Sequence, residues 1–302
     1  MTAPACGDGR DLIGHGAVPP EVVWPGGAAL ALNIALNYEE GSERTMPGDG
    51  VNESLGEIGR PVAAPARDLA TESVYEYGSR AGVFRILRMM DEYAMPLTLF
   101  AAAVALERNP EVCAWIRRAG HDVCGHGHRW SEDWTVDREE EAARITAAVD
   151  SITRTCGRRP AGWYNRWMPS EHTRELLVAE GGFAYDSNAY NDDLPYWTRV
   201  AGRSHLVVPY TLTYNDSRYA AHGLTPAGFV DTCVRGIDEL AREAGHRPKM
   251  MTIGLHARFT GQAARASALR EILDHVAARG DVWVARREDI AATWKAQHPP
   301  PS

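Results

Sequence analysis

An acidic pair and a histidine follow two apolar segments that lie far apart in the chain. Glu39 and Glu40 come directly after the alternating apolar segment 28–37, and His256 ends the apolar segment 250–256. Carboxylates and imidazoles can exchange protons with a reacting group near neutral pH. Repulsion between two adjacent carboxylates should raise the proton affinity of the pair toward that range. These residues are therefore candidates for general acid–base chemistry.

Further polar and aromatic side chains follow other predicted strands. They are His126, His128, Arg129 and Trp130 after the third, Tyr164, Asn165 and Arg166 after the fourth, Asp186 at the end of the fifth, and Arg258 after the penultimate one. In an α/β barrel the carboxyl ends of the strands meet at one rim, where catalytic groups lie. Any one of these residues alone is more often structural. Their coincidence at one rim favours a functional site.

Strand and helix patterns alternate along the chain, so each rim residue can be assigned to an element. The predicted strands are 28–37, 97–101, 122–125, 160–164, 183–187, 206–212, 250–256 and 282–285. The predicted helices include 110–119, 137–156, 170–180, 226–244, 264–279 and 289–296. This alternation predicts an α/β fold with a parallel sheet and outer helices, and the lack of a GxGxxG turn favours a barrel. We expect an arm at 1–27, a single barrel domain at 28–296 and a tail at 297–302.

Composition and charge exclude several classes of function. The chain has 302 residues and a formal net charge of -8, without the concentrated basic face that nucleic-acid binding requires. Its five cysteines are odd in number and show no CxxC spacing, which argues against a disulfide scaffold and a structural zinc site. The N-terminus lacks the pattern of a signal peptide, and no apolar run could span a bilayer. We expect a cytoplasmic protein that binds a small molecule and neither membrane nor nucleic acid.

The rim motifs resemble those of the polysaccharide deacetylase superfamily, also called NodB-homology or carbohydrate esterase family four. Its Thr-Phe-Asp-Asp-Gly motif matches residues 37–41, its His-x-x-x-His motif falls at His126 and Trp130, its Arg-x-Pro-Tyr region lies near 159–164, and its Leu-x-Leu-His motif is 253–256. The resemblance covers the chain from about residue 18 onward. It implies a distorted (β/α)7-type barrel.

Within that superfamily the chain most resembles metal-independent bacterial allantoinases and cyclic imide hydrolases. The matching stretches are 37–41, 72–82, 162–164, 192–197 and 254–256. This resemblance implies a hydrolase that opens a carbon–nitrogen bond in a small cyclic amide, imide or ureide, and a homo-oligomer, typically a tetramer. Departures from the allantoinase pattern at His128, 165–167 and Asn188 cluster at the rim and point to a different ring.

The resemblance also implies roles for individual residues. Glu39 takes the place of the base, and a backbone N–H near Tyr164 takes that of the oxyanion donor. We expect His256 to be the general acid, and Glu40 to orient water or bind a ring N–H. The remaining residues would bind the substrate. His126, Trp130 and Asn165 or Arg166 would form the wall of the pocket, and His128, Tyr164 and Asp186 would also contact the substrate. Arg80, Arg129 and Arg258 would either pin a carboxylate or pair with the acidic residues.

The sequence leaves the question of a metal open. Deacetylases of this superfamily hold zinc or a similar ion with one carboxylate and two histidines. Trp130 occupies the position of the second histidine, and an indole has no lone pair to give, so we favour a site without cofactor. The alternative ligand set is Glu40, His126 and His128, since residues two apart in an extended segment face the same side.

Two other functions compete with a cyclic amidase. One is a metal-dependent N-deacetylase of an amino sugar or another small N-acyl substrate. The other is a binding protein that has lost its activity, which the presence of both Glu39 and His256 disfavours.

Overall fold

One curved sheet, surrounded by helices, organises the described part of the chain. A computed structural model describes residues 10–54, 62–219, 223–245 and 247–301. In these ranges the strands are β1 (Leu30–Tyr38), β2 (Thr98–Ala101), β3 (Asp122–Gly125), β4 (Gly162–Trp163), β5 (Tyr185–Asp186), β6 (Tyr196–Val200), β7 (Arg203–Val207), β8 (Lys249–His256) and β9 (Val282–Val284). The α-helices are α1 (Met46–Asp49), α2 (Leu69–Tyr77), α3 (Val83–Glu92), α4 (Ala103–Arg108), α5 (Pro110–Ala119), α6 (Arg138–Cys156), α7 (Thr173–Glu180), α8 (Pro226–Glu243), α9 (Ala263–Arg279) and α10 (Arg287–Gln297).

The sheet runs in the order β6-β7-β5-β4-β3-β2-β1-β8, and β9 pairs with the first half of β1. Only the β6–β7 pair is antiparallel. The sheet curls into a half-barrel, and a single parallel bridge, Asn215–Gly254, joins β8 to the segment beyond β7. β1 is buried along its whole length, as expected for a parallel strand that is covered on both faces. The predicted α/β sheet with outer helices is confirmed.

Capping residues in the local sequence mark several helix boundaries. The Asp137 side chain accepts a hydrogen bond from the Glu140 N–H at the start of α6, and Thr225 does the same for Gly228 at the start of α8. α7 ends at Gly181, whose φ of 86° is the left-handed conformation that glycine adopts readily. Local sequence therefore determines these ends.

The sequence prediction was wrong in one region of the sheet. The predicted strand 206–212 is β7, Arg203–Val207, and it pairs with β6, which was not predicted. Beyond Val207 the chain leaves the sheet edge, and Tyr210 is buried against Tyr164 with ring centroids 4.7 Å apart. Helices α2 and α4 were also missed. The segment 41–70, which has many Gly, Pro and charged residues and no clear period, is predicted from the sequence to be a long loop, and part of it lies outside the described residues.

A buried arginine occupies the interior where the sheet is open. Arg287, the first residue of α10, donates from Nε to Ser187 Oγ at 2.7 Å and from Nη1 to Thr252 Oγ1 at 2.9 Å. Its Nη2 donates to the Val208 carbonyl at 2.9 Å. These bonds link both sides of the opening. Burial lowers the pKa of Arg287. The hydroxyl and carbonyl acceptors around the guanidinium satisfy its N–H groups in place of a carboxylate.

A π-helical turn between α2 and α3 packs closely against the rim. It spans Gly78–Gly82, and a Cβ on Gly78 would lie 2.7 Å from the Glu40 side chain. A Cβ on Gly82 would lie 2.1 Å from the Ala257 carbonyl oxygen. Two glycines are therefore required where the helix approaches the loops that follow β1 and β8.

Candidate active site

Neighbouring strands bring Glu39 and His256 together. β1 and β8 pair in parallel with Asn37 opposite His256, so the residues that follow β1 lie beside the end of β8. The Asn37 amide donates to the Leu255 carbonyl at 3.0 Å and fixes this junction. The Ser42 N–H closes the turn on the Glu39 carbonyl at 2.9 Å. Glu39 is only 1% exposed and His256 8% exposed.

Three cationic or imidazole groups surround the Glu39 carboxylate. Arg258 Nη1 lies 2.7 Å from Oε2, His126 Nε2 lies 3.3 Å from Oε1, and His256 Nε2 lies 3.6 Å from the same Oε1. The candidate base, the candidate acid and two further predicted site residues therefore meet at one carboxylate. Of the two alternatives for Arg258, the structure shows the ion pair.

Hydrogen-bond partners fix the orientation of both imidazoles. His126 Nδ1 lies 2.8 Å from the Tyr164 carbonyl oxygen, and His256 Nδ1 lies 2.6 Å from Asp216 Oδ1. A carbonyl and a carboxylate only accept, so Nδ1 carries the proton in both rings. Each ring thus directs its Nε2 toward Glu39. The Tyr164 ring stacks on His126 with centroids 5.0 Å apart.

Asp216 is a site residue that the sequence analysis missed. Besides Nδ1 of His256, it accepts the His256 N–H at 2.8 Å and the Thr260 hydroxyl at 2.6 Å, and it is fully buried. It follows Asn215, whose bridge to Gly254 brings the segment beside β8. Neither periodicity nor a rim motif marks this segment. The one hint in the sequence was the residue type, since an Asp can orient a histidine such as His256.

Burial and charge separate the pKa values of the acidic pair. Burial raises the pKa of Glu39, but Arg258, His256 and His126 together outweigh it and hold that pKa well below its usual range. Burial raises the pKa of Glu40, opposed by Arg258 and reinforced by Glu39. The prediction that repulsion raises the proton affinity of the pair was wrong for Glu39, because Arg258 binds this carboxylate. For Glu40 the direction is as predicted, and Glu39 is one of its causes.

The Glu40 side chain binds the backbone of two loops, the one after β1 and the one after β8. Its Oε2 accepts the Glu39 N–H at 3.0 Å and its Oε1 accepts the Arg258 N–H at 3.0 Å. These bonds hold the loops after β1 and β8 together. The structure therefore gives Glu40 a positioning contact in place of the predicted contact with water or substrate.

Trp130 contacts two buried arginines. The Arg166 guanidinium lies 3.6 Å from the Trp130 ring centroid, and that of Arg258 lies 5.2 Å from it. Glu53 binds Arg166 through two bonds of 2.9 and 2.8 Å. Trp130 and Arg166 therefore pack beside the residue that binds Glu39, and their contact with substrate stays a prediction.

The Tyr164 and Asn165 N–H groups, at the place predicted for the oxyanion donor, are already bonded within the protein. The Tyr164 N–H donates to the Gly125 carbonyl at 2.9 Å, and the Asn165 N–H donates to Asn188 Oδ1 at 2.8 Å. Asn165 is fully buried and also donates to Asp133 at 2.8 Å. These N–H groups stabilise the loop after β4.

Other predicted substrate-binding residues lie outside this cluster. Arg80 is exposed and pairs with Glu76 on the helix surface. His128 and Arg129 line a cavity of about 350 Å³ that Ser42 and Trp130 also line, and there Arg129 pairs with Asp49.

Asp186, which was predicted to contact substrate, is buried in an ion cluster. Arg174 Nε and His205 Nε2 each lie 2.9 Å from its Oδ2, and the pKa of Asp186 is lowered because these two groups outweigh the effect of burial. A substrate could reach this carboxylate only by displacing one of them.

The residues at this rim do not fit the metal site of a deacetylase. Both Glu40 oxygens already accept backbone N–H groups, and Trp130 provides no ligand atom. Across the ranges that the structure describes, no group of three or more His, Cys, Asp or Glu is arranged to hold a metal ion.

None of the described helices combines the length and the apolar composition needed to cross a bilayer.

Comparisons with known proteins agree with the fold. The polysaccharide deacetylase family model matches residues 70–176. A Schizosaccharomyces pombe protein named for polysaccharide deacetylases is 37% identical over 314 residues, which covers 96% of this chain and 98% of that protein. A Pseudomonas aeruginosa PAO1 structure, likewise named for that family, is 43% identical, with a TM-score of 0.92 over 97% of this chain and 99% of that chain. Puue allantoinase is 42% identical with the same TM-score of 0.92 and the same coverage, 97% and 99%. From its fold, its rim and these similarities, the chain belongs to the polysaccharide deacetylase family.

Proposed function

We propose that this hydrolase opens a carbon–nitrogen bond in a small cyclic amide, imide or ureide. The observation that carries this proposal is that Glu39 and His256 are both buried and lie side by side, with Oε1 and Nε2 3.6 Å apart. An enclosed pair suits a small ring better than a polymer chain. The similarity to an allantoinase over nearly the whole chain also supports this choice.

In the proposed mechanism Glu39 accepts a proton from the attacking water. Arg258 holds Oε2, which leaves Oε1 facing His126 and His256. The proton then passes from Glu39 Oε1 to His256 Nε2, which lies 3.6 Å away. His256 then donates it to the leaving nitrogen as the ring opens, while Asp216 keeps Nδ1–H in place.

The carbonyl oxygen gains negative charge as water attacks. Arg258 is the fixed cation beside Glu39, and its buried Nε makes no hydrogen bond within the described residues. We assign it the stabilisation of this charge in place of the backbone N–H groups after β4. A cyclic imide has an electron-poor carbonyl, so this chemistry requires less activation than hydrolysis of a simple acetamide.

A substrate screen tests this function. The purified protein is assayed on hydantoins, cyclic imides, allantoin and N-acetyl sugars, with and without a chelator, alongside metal analysis. We expect turnover of at least one ring substrate at a rate that the chelator leaves unchanged. Deacetylation of N-acetyl sugars that depends on zinc, without ring opening, would contradict the proposal and favour the deacetylase alternative.

Asp216→Asn should lower kcat about 10²-fold, because an amide can present its N–H to Nδ1 and so favour the tautomer of His256 that carries its proton on Nε2. Steady-state kinetics and the pH dependence of kcat provide the measurement. If Asp216 positions His256, we expect kcat to change more than KM and the pH profile to shift. Unchanged kinetics with a lower Tm would show that Asp216 is only structural.

A further inference from the structure

Trp167 lies two residues after Asn165 and has a strained backbone. Its φ is 60°, and the Met168 N–H donates to the Arg166 carbonyl at 2.7 Å across it. A bond between residues two apart defines a γ-turn, and the form with positive φ is rare and unfavourable. A bulky aromatic residue adopts this conformation at a greater cost than glycine. Such strain often marks a functional position.

This turn places the Trp167 indole on a rigid base. The ring lies 4.5 Å from the Arg166 guanidinium, and its centroid lies 6.4 Å from that of Trp130 in an edge-on contact. Glu53 holds Arg166 through two bonds, so the base is fixed. Trp167 nevertheless remains 57% exposed. The Trp134 ring also contacts it, with centroids 6.0 Å apart and planes tilted by 32°, yet much of the residue stays open to solvent.

Trp167 is also connected, through two tyrosines, to His126, which contacts Glu39. Tyr190 donates to the Trp167 carbonyl at 3.0 Å, and its hydroxyl lies 2.7 Å from that of Tyr164. Tyr164 in turn stacks on His126. The Trp167 turn follows β4 and therefore lies at the same rim as Glu39. Trp167 lies on the solvent side of Trp130, because Trp167 is largely exposed and Trp130 is buried.

We propose that Trp167 is a specificity-determining residue whose exposed indole stacks on a planar, apolar substituent of the substrate, outside the ring that is opened. This inference rests on the proposed cyclic amidase function and narrows its substrate class. The positive charge of Arg166 is neutralised by Glu53, so the surface favours a flat aryl group over an anion. Aromatic side chains bind such groups through offset stacking.

The test compares kcat/KM for 5-phenylhydantoin with kcat/KM for unsubstituted hydantoin. In Trp167→Ala we expect the ratio of the two values to fall about 3- to 10-fold, the range of one aromatic contact. Met168→Ala, at an exposed position of the same turn, should leave the ratio unchanged. An unchanged ratio in Trp167→Ala would overturn the inference and leave the proposed function intact.

Trp167→Gly separates specificity from packing. Glycine removes the unfavourable φ, so Tm should not fall, while the ratio falls as in Trp167→Ala. A lower Tm with an unchanged ratio would show that Trp167 serves packing and would overturn the inference. If no cyclic amide is hydrolysed at all, the proposed function fails. The inference is then tested by calorimetry, which measures the affinity of wild type and of Trp167→Ala for 5-phenylhydantoin. Equal affinities, or no binding by either protein, would overturn the inference.

Discussion

Glu39→Gln is expected to lower kcat about 10³-fold on the best ring substrate, within the range of proton-transfer residues. The amide has nearly the same shape as the carboxylate and can still accept the Arg258 bond, but it cannot take a proton from water. Glu39 is the residue at which Arg258, His126 and His256 converge, so few other changes of this size should affect turnover as strongly. Steady-state kinetics measures the loss, and near-UV circular dichroism checks the fold.

Glu43→Gln is the matched control. Glu43 lies four residues along the same loop and accepts the Gly41 N–H at 2.6 Å, a bond that an amide oxygen can also accept. Burial raises the pKa of Glu43 to about 7, so the neutral amide resembles a form that the protein already populates. We expect a loss well below 10²-fold, the smaller end of a proton-transfer effect. Full turnover by Glu39→Gln would remove it as the base.

The meeting of Glu39 and His256 followed from the sequence for a general physical reason. Carboxyl ends of parallel strands share one edge, and both residues follow apolar segments that predict strands. What the sequence did not contain was the strand order. Only the structure shows that β1 and β8 are neighbours, with Asn37 opposite His256, so that these two rim positions touch.

The electrostatics of the site could not be derived from neighbours in sequence. Glu40 is adjacent to Glu39, which suggested repulsion, but Arg258 comes from the opposite end of the chain and reverses the outcome. Asp216 escaped prediction for a related reason. It lies in an irregular segment that a single bridge brings to β8, and such a contact leaves no periodic pattern. Tertiary contacts therefore determine the proton affinities, while local patterns determine the elements.

Arg258→Met is expected to destabilise the protein by about 3–5 kcal/mol at neutral pH, because it leaves the Glu39 carboxylate buried without its cation. The effect should depend on pH in a defined direction. In the wild type the pKa of Glu39 is lowered, so its stabilising contribution is present above the unfolded pKa and is lost only as the pH falls through the folded one. Without Arg258, burial dominates and raises that pKa above the unfolded value.

The folded variant then binds more protons than the unfolded chain near neutrality, so its stability should rise as the pH falls toward 5, and its deficit from wild type should shrink. Urea unfolding at several pH values between 5 and 8 measures this deficit. Arg80→Met is the control, since Arg80 is exposed on the helix surface and its loss should matter little at any of these pH values. A deficit that stays constant or grows on acidification would contradict the view that Arg258 acts by neutralising Glu39. A shrinking deficit would show that the same ion pair that keeps Glu39 ionised for catalysis also makes its burial tolerable.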